Sequence, residues 1–239
     1  MKKIYNSKQA QKYYDINYKK FGSSFQRKYP NEELCRFIGR NFNKLSYKKK
    51  GKIKVLEVGC GSAGNLWMLA EEGFNTYGID YSKKSIDISK KIIRNKNLNS
   101  KFAVCNMKKL PFRKNYFNCI VDIFSSTNLN SNEGNIFLKE VSRTLKKGGL
   151  FFSYFPSKNS KMFKSKNKVL IDKNTIFNLK EKKSVYKIKN FPFRFHSKKE
   201  YKKLFIKNNL KVIYSEELKK TYFNGRDNFD FLVFEGLKK

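Results

Sequence analysis

The sequence predicts an α/β fold: a mostly parallel sheet with helices on both faces. Apolar runs of strand length alternate with stretches of helical apolar spacing. The first run breaks into a glycine turn that opens a helix, and the second run ends in an acid. At 239 residues the chain is long enough for one sizeable core. We expect a single domain over 1–239, with a helical cap in 1–50, a ligand-binding core in 51–156, an insertion in 157–195 and a closing helix and strand pair in 196–239.

In the cap, Tyr13, Tyr14, Tyr18 and Phe21 recur at spacings of three and four and form an aromatic stripe on one helical face. After Pro30, residues 31–45 predict a second helix, with Asn31 as N-cap and Glu32 and Glu33 in its first turn. Lys48 to Lys52 is expected as a solvated connector. Ile53–Val58 is a buried parallel strand by composition. Gly59, Cys60 and Gly61 break it, and two glycines this close let the backbone turn tightly and approach a ligand. A helix follows over Asn65–Glu72 and stops at Gly73. A ligand would sit where its amides begin. Glu57 stands at the carboxyl end of the first strand, where packing gives an acid no reason to be. The next strand, Asn75–Ile79, ends at Asp80, about twenty residues past the glycines, the distance at which an acid can chelate ribose hydroxyls.

Gly59-x-Gly61-x-x-Gly64 also fits the dinucleotide fingerprint, which is a weak signal alone. Glu57-Val58-Gly59-Cys60-Gly61, followed by Gly78-Ile79-Asp80-Tyr81-Ser82, resembles the first two motifs of class I S-adenosylmethionine-dependent methyltransferases. The resemblance implies a Rossmann-like seven-stranded sheet with an antiparallel C-terminal strand, and S-adenosylmethionine as cofactor. Glu57, Gly59 and Gly61 would hold its amino-acid end, with Cys60 in the turn. Asp80 would grip the ribose, with Tyr81 beside it. The sequence departs at Ala63, where many members carry a third glycine.

Downstream, Ser82 caps a helix bearing Ile86, Ile88, Ile92 and Ile93, and Ser100–Val104 is a third strand. Leu110-Pro111-Phe112 lies four residues past Asn106, where the family commonly has an acid on the adenine amino group. Asn106 can accept there through its side-chain oxygen, and Met107 would supply a backbone amide. Phe117–Ile123 is the fourth strand, and the segment after it should line the ligand crevice. Ile123 and Phe124 are expected beside the cofactor, with Asn128 near the methyl group or in a plain strand-to-helix loop. Asn135–Leu145 predicts a helix with Ile136, Phe137, Val141 and Leu145 on its apolar face. The glycines at 148 and 149 serve a turn, and Leu150–Phe155 is the fifth strand. Residues 157–195 predict short strands over the catalytic edge, which in methyltransferases of this plan tend to select the substrate. Ser197 and Glu200 form a capping-box pattern. Leu210–Ser215 and Phe229–Phe234 are the closing strands.

The four cysteines show no C-x-x-C pair, so buried free thiols are expected rather than a disulfide framework, and no metal site is expected. No long apolar run or secretory signal is evident, which predicts a cytoplasmic protein without a membrane span. Lys plus Arg number 54 against 19 Asp plus Glu, a formal charge of +35. The excess is mostly lysine scattered over most elements, including Lys180–Lys183, and we favour a generic basic surface over a polyanion site. Tyr14 and Tyr18 are candidates to close over the cofactor. His196, the single histidine, Tyr18 and Asn128 are weak catalytic candidates, with a structural role weighed above a catalytic one for His196. Methyl transfer asks mainly for positioning. The favoured expectation is a methyltransferase with a small-molecule acceptor, a sugar or other hydroxyl-bearing metabolite. An RNA methyltransferase and a cofactor-binding module without activity stay open, and the oligomeric state is unassigned.

Overall fold

The computed structural model describes residues 6–179 and 185–239; the opening Met1–Lys3 and the basic run Lys180–Lys183 lie outside them. Three helices lead in: α1 (Ser7–Phe21), α2 (Glu32–Phe42) and α3 (Tyr47–Lys50). Asn6 caps α1 in a capping box with Gln9, and the Asn31 side chain accepts from the Glu33 and Leu34 amides to cap α2. The lysine-rich connector contains the short α3, because Ser46 caps it and Lys50 pairs with Glu72.

The core then runs β1 (Lys54–Val58), α4 (Leu66–Glu71), β2 (Asn75–Asp80), α5 (Lys83–Asn95), β3 (Lys101–Val104), β4 (Phe117–Ile123), α6 (Ser131–Thr144) and β5 (Leu145–Pro156). After α7 (Lys161–Lys164) come β6 (Lys168–Asp172), β7 (Thr175–Leu179) and β8 (Lys189–Arg194), which form a separate three-stranded antiparallel sheet. The chain closes with α8 (Lys198–Lys207), β9 (Leu210–Tyr222) and β10 (Asp227–Lys238). The main sheet has the order β3-β2-β1-β4-β5-β10-β9, and β10 alone runs antiparallel to both its neighbours.

Strand alternation divides the core into two layers. Val55, Cys119, Val121, Phe152, Phe231 and Val233 face α2 and α4, while Leu56, Ile120, Phe151, Leu232 and Phe234 face α6 and α8. Several expectations shift. Helix α6 starts four residues earlier than its apolar pattern, because Asn130 and Glu133 form a capping box. Ile136 is 40% exposed, so the buried stripe of α6 is Phe137, Leu138 and Val141. Phe21 is likewise exposed at the end of its stripe, and β9 and β10 extend well beyond their apolar centres. Strand β5 begins at Leu145, so Gly148, at φ +72°, lies within it rather than ahead of it. All four cysteines are free thiols; Cys60 and Cys119 are buried as expected, but Cys35 is exposed because it falls on the outer side of α2. Among the described residues no helix is long and apolar enough to cross a membrane.

Candidate active site

At the carboxyl edge of the parallel strands lies a cavity of about 600 Å³. Its floor is made by the loop after β1 (Gly59, Gly61), the end of β2 (Asp80, Tyr81), Met107 after β3, and Ile123, Phe124, Ser125 and Asn128 after β4. Its roof is made by α1, through Tyr13, Tyr14 and Tyr18, by the 3-10 turn that carries Phe25, and by Tyr186 with Phe191 and Phe193 of β8.

The floor needs bare backbone. Gly59 has φ +64°, and a β-carbon there would fall 2.3 Å from the Ser125 Cβ. Gly61 has φ +55°; its amide donates to Asp80 Oδ2 at 3.0 Å, and a β-carbon would meet the Tyr18 hydroxyl at 2.8 Å. The Ser125 hydroxyl donates to the Val58 carbonyl at 2.6 Å. The ends of β1, β2 and β4 are thus tied into one surface, with Tyr18 closing over it. Cys60 takes part through its backbone: its amide donates to the Ile79 carbonyl, and its thiol packs below the turn against Gly78. Burial pushes that thiol well above its ordinary range.

Glu57 is buried. Its Oε1 accepts from Asn65 Nδ2 at 2.6 Å, while its Oε2 has no partner. Burial pushes its carboxyl up to about 8 despite the Asn65 hydrogen bond. Asp80 accepts from the Ser82 amide through Oδ1 and from the Gly61 amide through Oδ2, and burial raises its pKa above the ordinary value against those hydrogen bonds. Asn106 stands back from the cavity wall, since its oxygen already accepts from the Tyr81 hydroxyl at 2.7 Å and the Lys108 amide at 2.8 Å. Tyr81 is in the wall, and burial holds its phenol up to about 12. Asn128 donates to the Tyr14 hydroxyl at 3.3 Å, and its buried Oδ1 is unpartnered. The Tyr14 phenol is raised to about 12 by burial, and burial raises Tyr18 further.

His196 is outside this wall. It packs against both Phe155 and Tyr201 in the core, is 2% exposed, and has both ring nitrogens unpartnered; burial holds its pKa well below the ordinary imidazole value. Sequence reasoning passed over two groups that shape the site. Asp122 accepts from the amides of Ser125 and Ser126 and from both hydroxyls, folding the loop after β4; an acid in an apolar strand before Ser-Ser was its signal. Arg194 of β8 is buried and donates to the Ser126 and Asn130 carbonyls, while Thr127 Oγ1 donates back to the Arg194 carbonyl. Nothing in the sequence signals that clamp.

Residues 55–149 match the family profile described as a methyltransferase domain. That stretch, from β1 into β5, carries the features of a class I S-adenosylmethionine-dependent methyltransferase domain. It is 30% identical over 127 residues to the ubiquinone biosynthesis O-methyltransferase of Pelagibacter ubique, covering 51% of this chain and 52% of that one. It is 26% identical over 151 residues to the tRNA N(3)-methylcytidine methyltransferase of Schizosaccharomyces pombe, covering 56% and 48%. The matches thus span about half the length of these curated relatives. A Burkholderia thailandensis 1,6-didemethyltoxoflavin-N1-methyltransferase, solved with 1,6-didemethyltoxoflavin and S-adenosylhomocysteine, superposes with TM-score 0.71 at 11% identity over 98% of this chain and 88% of that one. At that identity the likeness is one of fold.

The family's cofactor is S-adenosylmethionine, and the residues present fit it. A buried carboxyl oxygen without a partner suits a cationic amino group, Gly59 and Gly61 present bare backbone to the cavity, and the Asp80 oxygens retain lone pairs for hydroxyls.

Proposed function

We propose that the chain methylates a small-molecule acceptor held in the roofed half of the cavity, beside a cofactor held by Glu57, Gly59, Gly61, Asp80 and Met107. One observation carries the reading: α1 and β8 close the strand edge into a cavity of about 600 Å³. That volume is in the range of small-molecule sites. Bound S-adenosylmethionine supplies an electrophilic methyl group with a neutral leaving group. What the chain adds is positioning. Tyr18 covers the glycine turn, Asn128 and Tyr14 brace one another at the wall, and the roof excludes water. We read residues 1–239 as one domain, with 1–50 as its cap and 157–195 choosing the acceptor. The four free thiols favour a reducing, cytoplasmic setting.

A tRNA acceptor is the second reading, favoured by the +35 charge and by the tRNA-modifying relative. Calorimetry with S-adenosylhomocysteine, followed by transfer of a labelled methyl group into metabolite and tRNA pools, tests both. Label in the metabolite fraction is expected. Label in tRNA transfers the proposal to the second reading, and binding without label in either favours a module without activity. Absence of binding at millimolar ligand overturns the methyltransferase reading.

A further inference from the structure

The main sheet ends in two edge strands of unequal length. Strand β3 has 4 residues, whereas β9 has 13 and pairs on one side only, with β10. From Lys211 to Tyr222 no residue of β9 is buried, although its neighbour β10 is buried along most of its length. A long uncovered edge offers a row of main-chain N–H and C=O groups to another strand.

The strand's own sequence selects the partner. Residues 214–222 read Tyr214-Ser215-Glu216-Glu217-Leu218-Lys219-Lys220-Thr221-Tyr222, and the two sides of Leu218 complement one another. An antiparallel copy placed with Leu218 opposite Leu218 sets Glu217 opposite Lys219, Glu216 opposite Lys220, Ser215 opposite Thr221 and Tyr214 opposite Tyr222. Each pairing occurs twice by symmetry, and residues directly opposite share a face of the sheet. Other registers fail. An axis at Glu217 or at Lys219 sets a charge against its own copy, and an axis between two residues gives at most one of the glutamates a lysine.

The side chains are free to pair in this way. Glu216 and Lys219 are exposed. Glu217 accepts within the chain through Oε1, from Asn159 Nδ2 at 2.7 Å and from the Ser157 hydroxyl, which leaves Oε2. Lys220 stands 3.6 Å from the exposed Glu32, a surface pair that contributes little. Tyr214, Leu218 and Tyr222 are half-buried on the face that carries α2, and a second copy extends their row. Beyond the ends of the paired segment, the same symmetry brings Ile213, 45% exposed, beside Phe223, 61% exposed.

We propose that β9 docks on β9 of a second copy of this chain, giving a two-fold dimer with one continuous sheet. The paired segment makes a ladder about 30 Å long. The formal charge of +35 on each chain opposes the approach. At physiological ionic strength, however, exposed charges more than about 8 Å apart are largely screened, and most of the excess is on elements remote from β9. The pairs in contact are screened much less. Strand β9 runs in the same direction as β1, β4 and β5, so the two-fold axis sets the parallel strands of one copy against those of the other. The two cavities therefore open at opposite edges of the joined sheet, and the dimer is independent of what the cavity binds.

The test is sedimentation equilibrium of the full chain in about 0.15 M salt, at concentrations from about 1 to about 100 µM. A reversible dimer of the 28.3 kDa chain is expected. The double variants Glu216→Lys with Glu217→Lys, and Lys219→Glu with Lys220→Glu, should each raise the dissociation constant at least about tenfold when alone. An equimolar mixture of the two should associate as the wild type does, because every lysine then faces a glutamate. Circular dichroism checks that both are folded. In a Cys35→Ser background, Leu218→Cys should form an interchain disulfide on oxidation, since that position faces itself across the axis, while Lys211→Cys should not. A wild type that stays monomeric at about 100 µM, a dimer indifferent to both charge variants, or folded variants whose mixture fails to associate overturns the proposal. If a charge variant does not fold, the disulfide decides: absence of a selective cross-link from Leu218→Cys overturns it equally.

Discussion

The guanidinium of Arg194 occupies the space that a side chain on Gly134 would need: a β-carbon built there would lie 1.1 Å from Nη1. One residue is the last of β8, the other is in the first turn of α6, and their fit lets Arg194 reach the carbonyls of Ser126 and Asn130. The three-stranded sheet is thereby fixed to the loop that carries Asn128. Gly134→Ala should destabilise the chain by about 2–4 kcal/mol in urea denaturation, because the displaced arginine is buried and has nowhere polar to go. Adding Arg194→Ala should cost less than the sum of the two single changes by more than about 1 kcal/mol. Strict additivity would mean that the two residues are not coupled.

Ala63 sits at φ +61°, in the left-handed region that favours glycine. A β-carbon in that conformation costs about 1–2 kcal/mol, partly offset by the extra unfolded-state entropy of glycine, about 0.4–1 kcal/mol. Ala63→Gly should therefore raise the melting temperature slightly and leave S-adenosylhomocysteine affinity intact. A lower melting temperature would show that the alanine methyl group is packed to advantage.

Glu57 gives the unliganded protein a pH signature. Its carboxyl is held up to about 8 by burial, against 4.5 for the free side chain, so the folded chain binds the extra proton between those values. Its contribution to stability is complete below about pH 4.5 and is lost as the pH rises through about 8. Asp80, also raised, adds a change of the same sign. Melting temperatures followed without ligand from about pH 5 to about pH 9 should fall more steeply for the wild type than for Glu57→Gln. Parallel curves would remove Glu57 as the source.

His196 predicts the opposite trend. Burial depresses its pKa, so the stability associated with the neutral ring is present above 6.5 and is lost as the pH falls through the depressed value. His196→Phe keeps the stack on Phe155 and Tyr201 and removes two unpartnered nitrogens. It should be neutral or stabilising by about 1 kcal/mol, with added resistance to acid and an unchanged pH profile of turnover. Loss of turnover at unchanged stability would return His196 to the role of base.

The parts of the site that were legible in the sequence are those where a local backbone demand selects a residue type. Gly59 and Gly61 turn with positive φ, Asp80 ends a strand, and Asn31, Ser82 and Ser197 cap helices; each leaves its mark within a few residues. The roof left no such mark. Phe191 reaches Tyr13 across about three quarters of the chain, and Arg194 meets Ser126 across 68 residues, pairings set by tertiary packing alone. Asn106 shows the limit of reasoning by position: it stands at the expected place, but Tyr81, near in space and remote in sequence, has taken its oxygen.

Strand β10 is the last of the seven in chain order, yet it is interior to the sheet, between β5 and β9. A growing chain therefore cannot complete this sheet from one side to the other. Until residues 227–238 have been synthesised, the outer edge of β5 has its main-chain groups unpaired, and α8 has only part of the layer that buries Tyr201 and Phe205. Such an open edge is where a nascent chain is exposed to pairing with its neighbours. The risk thus lasts until residues 227–238 are available to pair with β5.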